Sequence, residues 1–289
     1  MILIRTKEAM RRWSLAQKGA GKSIGFVPTM GALHEGHASL MRASAAENDV
    51  SVVSIFVNPA QFAPHEDFDA YPRTFEDDAV LSEACGMTVI YAPEMASMYP
   101  AGYATYVTVE GLSEGLCSRT RPHFFRGVAT VVAKLFNTVL PDRAYFGQKD
   151  AQQCAIITRM AADLDMGVSI VEMPIVREAD GLAMSSRNKY LSAEERGPAL
   201  SLSRALREAE ALLLSGERRV EAIDACIRGH MAPVKIDYVE IVHAETMKPL
   251  QVIDGPVLIA VAANMGRARL IDNLKFDTAR HPQAAVARP

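Results

Sequence analysis

The first two thirds of the chain alternate short β-rich runs with amphipathic helical patterns, and this alternation constrains the fold more than any other feature. The β-rich runs predict strands at residues 23–27, 50–57, 88–91, 143–146 and 168–171. The helical spacing predicts helices at residues 37–47, 74–84, 127–140 and 150–162. Such a succession of βαβ units folds as an α/β architecture, a Rossmann-like, doubly wound parallel sheet whose ligands gather at the carboxyl ends of the strands.

The pattern changes near Val176. Residues 193–214 predict one long helix, opened by the capping box of Ser192 and Glu195. A second helix follows, and apolar strands are predicted at residues 236–242 and 257–262. This succession differs from the βαβ pattern and indicates a separate α+β domain.

We therefore expect two domains: a Rossmann-like domain over residues 1–176 and a smaller C-terminal α+β domain over residues 177–289. The junction at residues 177–188 is polar and contains glycine, which favours a hinge or an active-site lid. Residues 278–289 are expected to form a short frayed tail.

Charge and cysteine content narrow the class of protein. A net charge of −3 gives no overall field to attract polyanions, so nucleic acid is not an expected partner. No apolar run approaches the length that spans a membrane, and the apolar start Met-Ile-Leu-Ile is too short for a signal peptide. The four cysteines include no C-x-x-C pair, which favours neither disulfides nor structural zinc. We expect a cytoplasmic protein without a membrane partner.

The strongest motif, Pro-Thr-Met-Gly-Ala-Leu-His-Glu-Gly-His over residues 28–37, follows the first predicted strand. Its glycines allow a tight turn, and the helix that follows carries His34 and His37 on one face. A helix N-terminus offers N–H groups to a phosphate, and imidazoles add donors for charge that builds on phosphate oxygens. The alternatives are a capping turn with surface histidines, or half a metal site. The position after the first strand of a parallel sheet favours the phosphate site.

A second motif, Phe-Val-Asn-Pro-Ala-Gln-Phe, ends the second predicted strand. Its amides, Asn58 and Gln61, offer donors and acceptors to the hydroxyl groups and carboxylate of a small acid. The alternative is an Asx-Pro turn with solvated amides.

Two further polar motifs lie later in the chain. Residues 147–153 place Lys149 beside the expected phosphates. The alternative is that Asp150 and Gln153 form a simple capping box and that Lys149 is a solvated lysine. Residues 183–189 combine hydroxyl groups with Arg187 in a candidate phosphate clamp, or in an ordinary polar loop.

Together, His-Glu-Gly-His at residues 34–37 and Met-Ser-Ser-Arg at residues 184–187 resemble the two signatures of the nucleotidylyltransferase superfamily. The motifs Phe-Val-Asn-Pro-Ala-Gln-Phe, Phe-Gly-Gln-Lys-Asp and Arg-Glu-Ala-Asp-Gly-Leu-Ala-Met-Ser-Ser-Arg-Asn narrow the likeness. In order and spacing, over residues 24–276, they resemble the pantothenate synthetase family, the pantoate–β-alanine ligases.

This resemblance implies condensation of pantoate with β-alanine, using ATP and Mg²⁺, through a pantoyl adenylate, with release of AMP and pyrophosphate. It also implies a cytoplasmic homodimer in the synthesis of a coenzyme A precursor. Gln61 and Gln153 would hold pantoate, with Gln61 also near the path of β-alanine, and His37 matches the position usually assigned as proton donor. The implied ATP site consists of Met30, Gly31, Ala32, Leu33, His34, Glu35, Gly36, His37, Gly147, Gln148, Lys149, Asp150, Val176, Met184, Ser185, Ser186 and Arg187. The implied catalytic residues are His34, His37, Lys149, Ser185, Ser186 and Arg187. The resemblance assigns no protein ligand to the metal.

One segment departs from the family pattern. The family has Arg-Pro, a small residue and then His-Phe-x-Gly-Val, whereas this chain has Arg-Pro-His-Phe-Phe-Arg-Gly-Val from Arg121 to Val128. Phe124 therefore stands where the family has histidine, and His123 stands where it has a small residue.

The residues also fit the chemistry. A carboxylate is already ionised at pH 7, so adenylation needs alignment and charge neutralisation rather than a general base. The rival hypotheses are an adenylyl- or cytidylyltransferase that releases its nucleotide-bearing product, and a catalytically silent nucleotide-binding scaffold. A tRNA synthetase is disfavoured because no basic anticodon-binding region is present.

Overall fold

The computed structural model describes residues 1–63, residue 66 and residues 68–280. The chain divides into two compact units, Met1–Val176 and Arg177–Pro289. Of the expected C-terminal tail, residues 281–289 lie outside the described residues.

The first unit is built on a parallel sheet of six strands in the order β1-β4-β3-β2-β5-β6. From β2 the chain moves outward through β3 to β4 on one side, and the later strands β5 and β6 lie on the other side. The order thus reverses between β2 and β5, which is the topological switch point where such sheets bind ligands. The strands are β1 Ile2–Ile4, β2 Ile24–Thr29, β3 Val50–Ile55, β4 Val89–Tyr91, β5 Arg143–Gly147 and β6 Ser169–Met173.

Among the described residues of the first unit, the α-helices are α1 Lys7–Gly19, α2 Glu35–Glu47, α3 Phe75–Ala84, α4 Met95–Met98, α5 Phe124–Val139 and α6 Ala151–Asp163. The four helices and five strands predicted for this region are present, so the α/β, doubly wound fold class is confirmed. Strand β1 and helices α1 and α4 were not predicted. Strand β1 could not be recognised because it has only three residues. Ile2 and Leu3 are exposed, so the strand shows no alternation of buried and exposed positions.

The central strands form because their residues are apolar almost without interruption. β2 and β3 are buried nearly throughout, as expected for parallel strands covered on both faces. Helix α5 packs Phe136 edge-on against Phe26 and Phe146. At its first turn, Gly127 lies so close to the short 3-10 helix Pro59–Gln61 that a Cβ would stand 2.1 Å from the carbonyl oxygen of Ala60. A residue without a side chain is therefore required for this contact.

The second unit is smaller and has an antiparallel sheet in the order β7-β8-β9. Apolar faces of its helices and strands form one core. This α+β architecture confirms the predicted class, although strand β9 was not predicted. Its elements are α7 Ala193–Ala199, α8 Ser201–Leu214, α9 Val220–His230, β7 Lys235–His243, β8 Pro256–Met265 and β9 Ala268–Asp277.

The prediction of one long helix over residues 193–214 is wrong. The helix breaks at Leu200, whose N–H bonds to the carbonyl oxygen of Gly197 at 3.3 Å. Pro198, inside α7, has no N–H to continue the ladder of hydrogen bonds. The predicted capping box is confirmed, because Ser192 Oγ accepts from the N–H of Glu195 at 3.2 Å and Glu195 Oε2 accepts from the N–H of Ser192 at 2.9 Å.

Across the described parts of both units, no helix combines the length and the apolar character that crossing a bilayer requires.

Candidate active site

The site lies in the first unit, where two of the predicted motifs flank the switch point of the sheet. The turn at Gly31 follows the end of β2, and Gly147 ends β5, the neighbouring strand. Because parallel strands end at the same edge of the sheet, this order places both motifs at one rim.

The Gly31–Leu33 turn is held by hydrogen bonds from its own backbone. The N–H of Gly31 donates to Thr29 Oγ1 at 3.2 Å. The next two N–H groups, of Ala32 and Leu33, donate to the two carboxylate oxygens of Asp78, at 3.0 and 2.8 Å. The backbone N–H groups of Ala32 and Leu33, which the sequence predicted to face a phosphate, therefore donate to the carboxylate of Asp78.

The two histidines form a capping box at the start of helix α2, with His34 as the N-cap and His37 as the third residue of the helix. His34 Nδ1 accepts from the N–H of Gly36 at 3.1 Å, and His37 Nδ1 accepts from the N–H of His34 at 3.3 Å. Their ring centroids lie 4.1 Å apart. A nitrogen that accepts an N–H bears no proton, so these partners assign the proton of each neutral ring to Nε2. Both imidazoles therefore have an N–H donor on the side away from the helix backbone.

The surroundings of His37 keep its ring neutral. Burial lowers the pKa of His37 well below 6.5, and so do two neighbours: His34, which would repel the His37 imidazolium if it were itself protonated, and the cation of Lys149. The residue as a whole is only half-buried by surface area, so part of it remains accessible to solvent. At pH 7 the ring is thus a neutral hydrogen-bond donor rather than an imidazolium acid.

The end of β5 supplies the positive charge. Residues Gln148–Asp150 form a 3-10 turn before α6, and Lys149 Nζ lies 3.5 Å from Asp150 Oδ2. The Lys149 side chain is 21% exposed. Next to it, a Cβ added to Gly147 would meet no atom within 4 Å, so the backbone borders open space.

The predicted acid-binding amide Gln61 is fixed by a buried network. Asn58, which is 1% exposed, donates to Gln61 Oε1 and to the carbonyl oxygen of Gly127, both at 3.1 Å. Tyr99 donates its hydroxyl to Asn58 Oδ1 at 2.7 Å. Gln61 Nε2 then donates to the sulfur of Met30 at 2.9 Å. The motif of residues 28–37, called the nucleotide motif below, is therefore in contact with the predicted acid site through Met30 and Gln61.

The neighbouring glutamines of α6 have different surroundings. Gln152 is buried and holds the preceding loop, because its amide bonds to the carbonyl oxygen of Leu112 at 3.0 Å and the N–H of Cys117 at 3.1 Å. Gln153, the predicted pantoate ligand, is half-buried on the first turn of the helix. Val176, predicted to border ATP, is half-buried after β6, at the end of the first unit.

The segment that departs from the family pattern has a defined structure. The Arg121 guanidinium lies 3.8 Å from the ring centroid of Phe124 and pairs with both carboxylate oxygens of Glu66, at 2.5 and 2.6 Å. It also donates to the backbone carbonyl oxygen of Gln61 at 3.1 Å. Phe124 thus stacks on the arginine that supports Gln61, and His123 is exposed at the start of α5.

The remaining motif, Met184–Arg187, belongs to the second unit. Ser185 Oγ accepts from the N–H of Arg187 at 3.3 Å, which starts a 3-10 helix. The preceding loop is closed by a bridge between Arg177 and Ala183, and Arg177 pairs with Asp272 at 2.7 Å. The junction expected to be mobile is therefore bonded internally, and the joining of Ser185, Ser186 and Arg187 to the ATP site stays a prediction.

Sequence reasoning missed several residues that shape the site, above all Asp78, Tyr99 and Glu66. Asp78 resembled an ordinary acidic residue in the first turns of a helix, where negative charge is favourable. The available signal was its helical spacing from Ser82, with which it shares the buried face of α3.

Within the described residues, no group of three or more His, Cys, Asp or Glu side chains is arranged to hold a metal ion.

A doubly wound sheet with neutral histidine donors and a lysine at its switch point defines a nucleotide-binding α/β enzyme. The family model described as "Pantoate-beta-alanine ligase" matches residues 2–275. The chain belongs to the pantoate–β-alanine ligase family, which confirms the enzyme class predicted from the sequence, a carbon–nitrogen bond-forming ligase.

Curated relatives support the assignment over nearly the whole chain. Pantothenate synthetase from Pseudothermotoga lettingae is 57% identical over 255 residues, covering 87% of this chain and 91% of the relative. Pantothenate synthetase from Moorella thermoacetica is 53% identical over 280 residues, covering 96% of this chain and 99% of the relative.

Solved structures agree. Pantothenate synthetase from Thermus thermophilus superimposes with a TM-score of 0.89 at 42% identity, covering 95% of this chain and 99% of that chain. Pantoate–β-alanine ligase from Francisella tularensis, complexed with "Beta-gamma ATP and Beta-alanine", has a TM-score of 0.77 at 30% identity, covering 95% of this chain and 97% of that chain. The predicted use of ATP and of small-molecule substrates is thereby confirmed for the family.

Proposed function

We propose that this ligase works through a pantoyl adenylate. A pantoate carboxylate oxygen attacks the α-phosphorus of ATP and displaces pyrophosphate. The amine of β-alanine then attacks the acyl carbon, AMP leaves, and the amine loses a proton. The first step needs no general base, because the attacking carboxylate is already ionised at pH 7.

The observation that carries the proposal is the pairing of two kinds of group at one rim of the sheet. His34 and His37 offer neutral Nε2–H donors, and Lys149 brings a cation close enough to lower the pKa of His37. Negative charge grows on the phosphate oxygens as the bond to pyrophosphate breaks. Donors and a cation already in place stabilise that charge more in the transition state than in bound ATP.

Gln61 is proposed to orient pantoate. Asn58 occupies its Oε1, so its Nε2–H₂ group is directed toward Met30 and the space beside the nucleotide motif. An amide donor held in this way suits a carboxylate or hydroxyl oxygen. Gln153, on the first turn of α6, is proposed as the second pantoate ligand, and Gln61 also as a neighbour of β-alanine.

Mg²⁺ is proposed to arrive with ATP, bound chiefly by phosphate oxygens, which suits its preference for oxygen ligands and retained water. Asp78 does not fit as a ligand, since its side chain is buried and both oxygens face donors of the protein. Asp150, beside Lys149, is the carboxylate of this rim that fits. Bound Mg²⁺ would neutralise phosphate charge while the protein groups align the reactants.

We further propose that the first unit binds the nucleotide and pantoate and that the second acts as a lid. In this proposal Met184, Ser185, Ser186 and Arg187 contribute to adenylate formation. The support is the family signature in the sequence and the bonded loop that presents these residues. Arg187→Ala should lower adenylate formation by about 10², as the loss of one electrostatic contact does.

Two properties of the family are carried over as proposals, a homodimer and a cytoplasmic location. The four free cysteines fit a reducing compartment. Light scattering of the purified chain tests the assembly, with a mass twice that of one chain expected. Fractionation of cells that express the chain tests the location.

Isotope exchange between pyrophosphate and ATP tests the adenylate directly. Exchange should require pantoate and proceed without β-alanine, and added β-alanine should then release AMP. If exchange required β-alanine, the proposal that the adenylate forms before β-alanine reacts would be contradicted. Release of AMP that is independent of any amine would favour the nucleotidylyltransferase alternative.

A further inference from the structure

Asp78 contacts the nucleotide motif from another part of the chain. It lies in α3, is 2% exposed, and is 46 residues from Ala32 in sequence. Its Oδ2 accepts from the N–H of Ala32 at 3.0 Å, and its Oδ1 accepts from the N–H of Leu33 at 2.8 Å and the hydroxyl of Thr74 at 3.2 Å. Both carboxylate oxygens are thus committed to the protein.

The turn that Asp78 holds is strained. Gly31 has a φ of 83° and Ala32 a φ of 51°, so both lie in the left-handed region. Alanine reaches this region at a cost in free energy, because its Cβ crowds the following carbonyl oxygen. Successive N–H groups in such turns form a concave site for an anion. Here the anion is the carboxylate of Asp78, and its two hydrogen bonds offset the strain.

The turn leads directly into the histidine pair. Leu33 precedes His34, the N-cap of α2, and the N–H of His34 donates to His37 Nδ1. The direction in which the chain leaves the turn therefore sets where α2 begins and where each Nε2–H is directed. A small rotation of this turn would move both donors together.

We propose that Asp78 is a positioning residue for the histidine pair: it keeps Gly31 and Ala32 in the left-handed conformation and thereby aligns His34 and His37 with the nucleotide. The kinetic consequence rests on the proposed function, whereas the effect on the imidazoles does not. Asp78 acts through the turn and is assigned no contact with substrate.

The decisive variant is Asp78→Asn, with Asp77→Asn as its matched control. Asp77 is the exposed neighbour on the same helix, so both variants remove the same charge. In Asp78→Asn, the new NH₂ group would face one of the two backbone N–H donors. We expect kcat of pantoate-dependent pyrophosphate exchange to fall by about 10- to 100-fold, with KM for ATP changed by less than about threefold. Asp77→Asn should stay within about twofold of wild type.

A structural readout accompanies the kinetics. The ¹⁵N spectra of the His34 and His37 rings should change in Asp78→Asn and remain unchanged in Asp77→Asn. Adding Ala32→Gly to Asp78→Asn should recover about three- to tenfold of the lost kcat, because glycine adopts a positive φ without strain. A double variant no more active than Asp78→Asn would contradict the part assigned to Ala32.

Thr74→Val keeps the inference testable should Asp78→Asn fail to fold. The Thr74 side chain makes no capping hydrogen bond to α3, so its hydroxyl can be removed without uncapping the helix. It should lower kcat by about two- to fivefold and shift the same imidazole signals. Unchanged kcat and spectra in the foldable variants would overturn the inference, as would a loss of kcat with unchanged spectra. If wild type shows no pantoate-dependent exchange, the proposed function fails, while the spectra still decide the role of Asp78.

Discussion

The two strand ends that flank the switch point are built in different ways. After β2, the Gly31–Leu33 turn is closed: its N–H groups donate to Thr29 and Asp78, and imidazoles cap the helix that follows. After β5, Gly147 borders open space, and Lys149 brings a cation on a half-buried side chain. One end fixes geometry with uncharged donors, and the other supplies charge on a long side chain.

This difference has an electrostatic cause. An imidazolium next to Lys149 would place two positive charges in a partly desolvated site. Burial lowers the pKa of His37, so that its ring stays uncharged beside Lys149. The histidines can then be held rigidly, because a neutral ring is desolvated at little cost. Lys149 carries the positive charge on a side chain that is 21% exposed. In the proposed mechanism, the β2 end therefore aligns the reactants and the β5 end neutralises phosphate charge.

The largest effect should come from removing the charge at the β5 end. Lys149→Ala should cut adenylate formation by about 10² or more, because growing phosphate charge loses its cation. The free energy of unfolding should change by less than about 1 kcal/mol, since the ion pair of Lys149 with the exposed carboxylate of Asp150 is screened by water. Pyrophosphate exchange and urea unfolding measure the two quantities. Lys149→Arg, which keeps the charge, is the control and should retain more activity.

Removing a donor at the β2 end should cost activity and stability together. His37→Ala should cut adenylate formation by about 10². It should also lower the free energy of unfolding by about 1 kcal/mol, because the N–H of His34 loses its acceptor. The same two assays apply, with exposed His230→Ala in the second unit as the control. If His37→Ala and Lys149→Ala had the same free energy of unfolding, the conclusion that only the β2 end fixes local geometry would be contradicted.

Alanine substitution of one glycine at each end compares their backbones. Gly31→Ala should destabilise by about 1–3 kcal/mol, because φ is 83° and the new Cβ would lie 2.9 Å from Asp78 Oδ2. Gly147→Ala should change stability by less than about 1 kcal/mol, since its φ of −82° suits alanine and the space is open. Urea unfolding measures both. A similar loss in both variants would show that the β5 end is as constrained as the β2 end.

The smallest effects should appear in the pH dependence of stability. The folded-state pKa of His37 is lowered, so between that pKa and about 6.5 the unfolded chain binds more protons than the folded chain. Stability should therefore fall as pH drops below about 6.5, by at most about 1.4 kcal/mol per pH unit from this residue, and level off below the folded pKa. His37→Ala should flatten this slope in urea unfolding.

Much of the fold was predictable because hydrophobic periodicity and glycine position are local signals. The β2 and β5 motifs could be placed at one rim because each ends a recognisable strand of a βαβ unit. The break at Leu200 was also signalled, by Pro198, but the continuous apolar pattern outweighed it. The contacts of Asp78 and Asn58 were not predictable, since they join the motifs to residues 46 and 69 positions away and depend on packing. Local pattern thus predicts which motif lies at a strand end, and tertiary contacts decide how it is held.

Long-range ¹H–¹⁵N NMR of the histidine rings of the wild-type protein near pH 7 tests whether uncharged imidazoles and a separate cation share the site. His34→Gln and His37→Gln assign the signals. Both His34 and His37 should carry a single ring proton on Nε2, with Nδ1 unprotonated. A proton on Nδ1 of His37, as imidazolium or as the opposite tautomer, would contradict this prediction.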